Sequence, residues 1–186
     1  MTHLFWQAVH ITGLEHCSLD VYNSAIRADG LVIGVENDVP FRVRYRLSID
    51  ERWHVTSVLV SDLTGAGADV YLISNGEGAW FDKVGKPVPA LDGCIDVDIA
   101  VTPFTNMLPI RRLNLAVGEM REIAVTYIQP TENMHISRVM QQYSCVSDAE
   151  TQSVYRFTQA DFSADITVDQ YGLVITYPGL FQRVNP

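Results

Sequence analysis

The chain reads as one mainly β domain, α+β only by the count of a single helix, arranged as an antiparallel roll, barrel or sandwich. Three observations lead there. Apolar and polar residues alternate with a period of two in run after run, the pattern of strands that bury one face. Turn signals recur about every 8 to 12 residues, the spacing of meandering hairpins. One proline-bounded segment, TPFTNMLPIRRL, breaks the alternation.

The clearest strand is FRVRYRLSI, in which Phe41, Val43, Tyr45, Leu47 and Ile49 share one face and Arg42, Arg44, Arg46 and Ser48 the other. HVTSVLV and DVYLIS follow more loosely. In IDVDIAV, Ile95, Val97, Ile99 and Val101 oppose Asp96 and Asp98. EIAVTYI and RVMQQYSCV come next, then FSADITVD with Phe162, Ala164, Ile166 and Val168 on one side, and LVITY closes the series. Turns are expected at Asp29-Gly30, Glu36-Asn37-Asp38, Asp50-Glu51, Gly65-Ala66-Gly67, Asn75-Gly76, Asp92-Gly93, Gly118-Glu119 and Gln170-Tyr171-Gly172. The count comes to roughly ten or more strands.

The exception begins at Thr102, an N-cap residue type, with Pro103 at the first helical position, where a missing N–H costs nothing. Pro109 cannot donate and pushes Leu108 toward an extended backbone, so the helix is expected to be short or kinked at Leu108. Phe104, Met107, Leu108 and Leu113 then pack on a sheet, as a plug or lid.

The 186 residues suffice for one well-buried core, so residues 1–186 are read as a single domain. Thirteen Lys and Arg against 22 Asp and Glu give a net charge of -9, which repels phosphate backbones and excludes nucleic acid as a natural partner. Lys83 and Lys86 are the lysines; arginine supplies the rest. The N-terminal stretch lacks the form of a secretory signal, and no window approaches about 18 consecutive apolar residues, so the expectation is a cytoplasmic protein with no integral membrane segment. Cys17, Cys94 and Cys145 have no CxxC spacing and fit reduced, buried thiols.

Catalytic signatures are sparse. There is no GxSxG elbow, no HExxH and no Walker loop, and His3, His10, His16, His54 and His135 are scattered. Asp96-Val97-Asp98 is a DxD pair, which in glycosyltransferases holds a divalent metal, but the strand runs on through Ile99 and no alternating α/β pattern surrounds it. Two carboxylates on one strand face call for a cation, and Arg111 and Arg112 or the Arg42, Arg44 and Arg46 stripe are the candidates. The aromatics spread through the strands serve a core, and on a concave sheet they would also accept sugar rings or acyl chains.

The stretch Gly93-Cys94-Ile95-Asp96-Val97-Asp98-Ile99, followed by Thr102-Pro103-Phe104-Thr105-Asn106 and Leu108-Pro109-Ile110-Arg111-Arg112-Leu113, resembles the signature of the bacterial putative glycolipid-binding family, once a domain of unknown function. Gly78-Ala79-Trp80, Gln142-Tyr143 and Tyr177-Pro178-Gly179-Leu180 extend the resemblance over nearly the whole chain. It implies a spiral β-roll, a long antiparallel sheet wrapped around a single central helix, assembled as a homodimer and similar in architecture to periplasmic lipoprotein carriers. It carries over no catalytic residues and no cofactor.

The function expected is non-enzymatic binding of an amphiphile, a glycolipid or fatty-acyl ligand, inside the roll. The acyl part would lie between the sheet and the Phe104, Met107, Leu108 face, with the polar head at Asp96, Asp98, Asn106, Arg111 or Arg112. Trp80 and Tyr177 complete the candidate ligand-binding set. Two alternatives stand beside it: a metal-dependent enzyme acting on a glycoconjugate through Asp96 and Asp98, and a structural or interaction protein whose roll is filled.

Overall fold

The computed structural model describes residues 1–22, 25–65, 67 and 69–184. Among them fourteen strands form one sheet. The first meander comprises β1 (Thr2–Ala8), β2 (Thr12–Tyr22), β3 (Ala25–Glu36), β4 (Val39–Ile49), β5 (Val55–Asp62), β6 (Val70–Ser74) and β7 (Trp80–Asp82). The second comprises β8 (Asp96–Ile99), β9 (Met120–Gln129), β10 (His135–Asp148), β11 (Gln152–Gln159), β12 (Phe162–Asp169), β13 (Val174–Tyr177) and β14 (Phe181–Val184). The two meanders join where β1 pairs antiparallel with β14, so the first and last strands lie side by side mid-sheet, with β7 and β8 at the edges.

One pairing differs in kind. β8 runs parallel to β9, with Asp96 opposite Val125 and Asp98 opposite Tyr127. A hairpin cannot join parallel strands; a crossover is needed, and it is usually helical. Residues 100–119 supply it through a 3-10 turn (Phe104–Asn106) running into α1 (Met107–Leu113). The chain's one α-helix among the described residues thus exists to return the chain to the start of β9.

Thr102 caps this segment as expected: its Oγ1 accepts from Phe104 N at 3.0 Å. Pro109 does not kink it. The 3-10 turn displaces the α-helical start to Met107, which leaves Pro109 in the first turn, where backbone N–H groups have no intrahelical acceptor to lose. The helix is short and ends at Asn114, in the left-handed conformation at φ 45°, with its N–H bonded to Ile110 O.

Most expected turns are found, but Asp29-Gly30 is not one: both residues lie inside β3. Gly30 stands opposite Tyr45, and a Cβ there would lie 2.1 Å from Tyr45 Cζ, so the glycine makes room for a ring crossing β3. Gly34 does the same for Phe41, at 2.7 Å. The Gly65-Ala66-Gly67 turn lies partly outside the described residues, since Ala66 does. Cys17, Cys94 and Cys145 are free and buried.

Two apolar clusters fill the roll. One gathers the inner faces of β1–β6 around Phe104, Met107 and Leu108; the other joins Ile110 to Tyr143, Phe157, Tyr177 and Phe181 from the second meander. The candidate site lies against the second, whose Phe157, Tyr177 and Phe181 line it.

Candidate functional site

Asp96 and Asp98 occupy alternate positions of β8, and each carboxylate has its own partners. Arg112, the next-to-last residue of the crossover helix, forks onto Asp96: Nε lies 3.1 Å from both carboxylate oxygens, and Nη2 closes on Oδ2. The Asp96 side chain is 1% exposed, and burial pushes its carboxyl above the usual range against the pull of Arg112. Asp98 accepts from Thr105 Oγ1 at 3.2 Å and from Gln141 Nε2 at 2.6 Å. With separate partners the DxD pair forms no joint cradle, and no cluster of three or more His, Cys, Asp or Glu able to hold a metal occurs among the described residues.

Gln141 ties Asp98 to a second strand. Its Nε2 also donates to Gln159 Oε1 at 2.8 Å. Both neighbours are acceptors, so the amide must turn its NH2 toward them, which leaves Gln141 Oε1 buried and unpaired. With Gln159 Oε1 occupied, the Gln159 NH2 is the part left to donate; it has no hydrogen-bond partner among the described residues.

Asp98 and Gln159 line a cleft of about 270 Å³ between the crossover and β11–β14. Asp98, Asn106, Thr102, Gln159 and Tyr127 provide its polar members. Phe157, Phe162, Tyr177 and Phe181 line it as a connected set of rings, with Phe157 and Tyr177 centroids 6.0 Å apart and Tyr177 and Phe181 6.4 Å apart, and Gln159 stands among them as the cross-strand partner of Phe162. Asn106 is braced from below, its Nδ2 donating to Tyr143 Oη at 2.9 Å. Burial pushes Asp98 upward against its two hydrogen bonds. Burial and then the Asp98 charge raise Tyr127 to about 12 and drive Tyr177 higher still, so both hydroxyls keep their protons at neutral pH.

Chemically the cleft offers a carboxyl acceptor and an amide donor, bridged by Gln141, together with a set of aromatic rings. That is the equipment for a polyhydroxylated ring with an apolar face. At about 270 Å³ the space falls just below the usual range for drug-sized ligands, and it suits one ring-sized group.

The expected binding residues divide accordingly. Asp98, Asn106 and Tyr177 meet in the cleft. Asp96 and Arg112 pair beneath it. Phe104, Met107 and Leu108 are at most 2% exposed, packed between helix and sheet. Trp80 is buried with its Nε1 donating to Cys94 O at 2.7 Å. Arg111 turns away, its guanidinium 4.7 Å above the Trp53 ring, into a different, polar hollow. Sequence reasoning missed Gln141 and Gln159, for which no pattern exists, and Phe157, which the alternation of SVYRF on β11 could have revealed.

Beside the cleft lies a buried acid. Glu15 of β2 accepts at Oε1 from Thr102 Oγ1, at 2.7 Å, and from the Tyr45 hydroxyl, while Oε2 has no partner. Burial raises its carboxyl to about 7, opposed by those two hydrogen bonds.

Fold and cleft define a class: a mainly β roll, closed around one crossover helix, with a small amphipathic opening. The sequence model of the family described as putative glycolipid-binding matches residues 3–183, and the chain belongs to that family. Its fold is similar to a crystal structure of a DUF1089 family protein from Pseudomonas aeruginosa, 34% identical, with a TM-score of 0.79 over 91% of this chain and 92% of the other. No curated protein matches the chain. No helix among the described residues is long and apolar enough to cross a membrane.

Proposed function

We propose that the protein binds a glycolipid non-enzymatically, holding the sugar head in the cleft lined by Asp98, Gln159 and the Phe157, Phe162, Tyr177 and Phe181 rings. The observation that carries this reading is a cleft of one ring's size lined by both hydrogen-bonding groups and a connected set of aromatic rings, in a chain of the putative glycolipid-binding family. The cleft contains no lysine or arginine, so a neutral, hydroxyl-bearing head suits it better than a phosphate or sulfate. Asp98 is held as an acceptor, which suits recognition better than proton transfer to a substrate. A homodimer in the cytoplasm is the setting this reading expects, and light scattering on the purified protein tests the assembly.

The direct experiment is mass spectrometry of an organic-solvent extract of the purified protein, beside an unrelated protein prepared in parallel. A stoichiometric glycolipid supports the reading. An empty extract, together with no measurable binding of octyl β-glucoside, refutes it. A second reading then gains weight, a filled roll that serves assembly, favoured by the complete burial of Phe104 and Leu108.

A further inference from the structure

Arg111 has no part in the cleft, yet its surroundings hold it in place. Its stem lies against Gly172, at φ 78°, where a Cβ would come 3.2 Å from Arg111 Cδ. Its guanidinium stands over the Trp53 ring. Trp53 is itself placed at a cost. The turn between β4 and β5 closes through Trp53 N to Asp50 O at 3.0 Å and Asp50 N to His54 O at 2.9 Å. Trp53 then adopts φ 66°, the left-handed position that short hairpin loops usually give to glycine. A bulky residue is strained there, and strain of this kind gathers at ligand sites.

An arginine pinned this way normally meets a carboxylate, as Arg112 does at Asp96. Arg111 has no hydrogen-bond or ion-pair partner among the described residues, so its N–H donors are open. It borders the polar hollow, about 340 Å³, between the helix end and β10–β12.

Two carboxylates border the same hollow, and they differ. Asp169 is neutralised by Arg183 at 2.6 Å and also accepts from Tyr171 N and Leu173 N. Asp148 accepts from the Ser153 hydroxyl, but no cation pairs with it among the described residues, Arg111 included. One open positive and one open negative charge therefore border one space, with the Asn114 and Gln170 side chains also in its lining. A simple anion would be drawn by Arg111 and repelled by Asp148, a dianionic phosphate most of all. A zwitterion satisfies both charges.

We propose that this hollow binds a small α-amino acid, with its carboxylate on Arg111 and its ammonium group on Asp148. The guanidinium fork matches a carboxylate through two parallel N–H···O bonds. The lining is predominantly polar, so a short or hydroxyl-bearing side chain suits it. The hollow is separate from the cleft, and this assignment stands independently of the head-group reading.

The test is titration calorimetry with L-serine, L-lactate and inorganic phosphate on the wild type, Arg111→Ala and Asp148→Asn, with circular dichroism verifying the fold. The wild type should bind L-serine at least about tenfold more tightly than lactate, which lacks the ammonium group, or phosphate. Arg111→Ala should weaken L-serine by about tenfold or more. In Asp148→Asn the preference for L-serine over lactate should disappear, an effect that a merely structural role for Asp148 would not produce. No binding of L-serine by the wild type at millimolar concentration overturns the proposal. So does phosphate binding more tightly than L-serine, a wild-type affinity in Arg111→Ala, or a preference for L-serine that survives in Asp148→Asn.

Discussion

Thr102 and Glu15, 87 residues apart, share a hydrogen bond of 2.7 Å that joins the start of the crossover helix to the middle of β2. The Thr102 hydroxyl accepts from Phe104 N while donating to Glu15 Oε1, so one side chain both caps the helix and anchors it to the sheet. The acid it anchors to is buried, with one oxygen unpaired.

A pH dependence follows. Glu15 is raised from 4.5 to about 7 in the fold, so between those values the native state holds a proton that the unfolded chain has released. Stability from this group is greatest below about 4.5, falls as pH rises toward about 7 and is flat above, a loss on the order of 3 kcal/mol. In Glu15→Gln, urea denaturation between pH 5 and 7 should lose most of this slope. A variant with the wild-type slope would show that Glu15 ionises freely in the fold.

Gly30→Ala tests the ring crossing in β3. The added Cβ would fall 2.1 Å from Tyr45, whose hydroxyl donates to Glu15, so the ring must move and that bond must break. Overpacking of this kind costs about 1–3 kcal/mol, and the lost hydrogen bond adds to it. Thermal and urea melts should both record the loss; an unchanged midpoint would mean that β3 slides to accommodate a side chain.

Adjacent arginines should behave differently. Arg112→Ala strands the Asp96 carboxylate, 1% exposed, without its cation, a change that costs about 3–5 kcal/mol. Arg111→Ala removes a guanidinium from the face of Trp53, worth about 0.5–1 kcal/mol at a partly open position. Equal losses in chemical denaturation would contradict this division of labour.

Gln159→Ala removes the free amide donor from the cleft and leaves Gln141 bonded to Asp98. Octyl glucoside affinity should fall roughly five- to tenfold, the worth of one hydrogen bond, with little change in stability. Undiminished affinity, measured by calorimetry, would place the head group elsewhere.

Much of this architecture was legible in the residue order. The alternation in FRVRYRLSI marks β4 because a strand at the surface of a core must present a different environment every other residue. Thr102-Pro103 announces the helix because capping is a local matter of a few backbone N–H groups. Local rules misled at Asp29-Gly30, where turn chemistry and a glycine vacated for a distant ring look alike; at Pro109 they left a short helix and a kinked one open, and the short one is found.

The sequence by itself determined a mainly β roll with one short helix, the need of Asp96 and Asp98 for partners and an acidic surface unsuited to nucleic acid, because periodicity, capping and net charge act over neighbouring residues or over the whole chain. Tertiary structure alone decided that Arg112 rather than Arg111 meets Asp96, that Gln141 binds Asp98 to Gln159, and that aromatic residues from β11 to β14 face the crossover. Those pairings span 16 to more than 80 residues, and they exist only because a parallel β8–β9 pair forces the crossover back across a curled sheet.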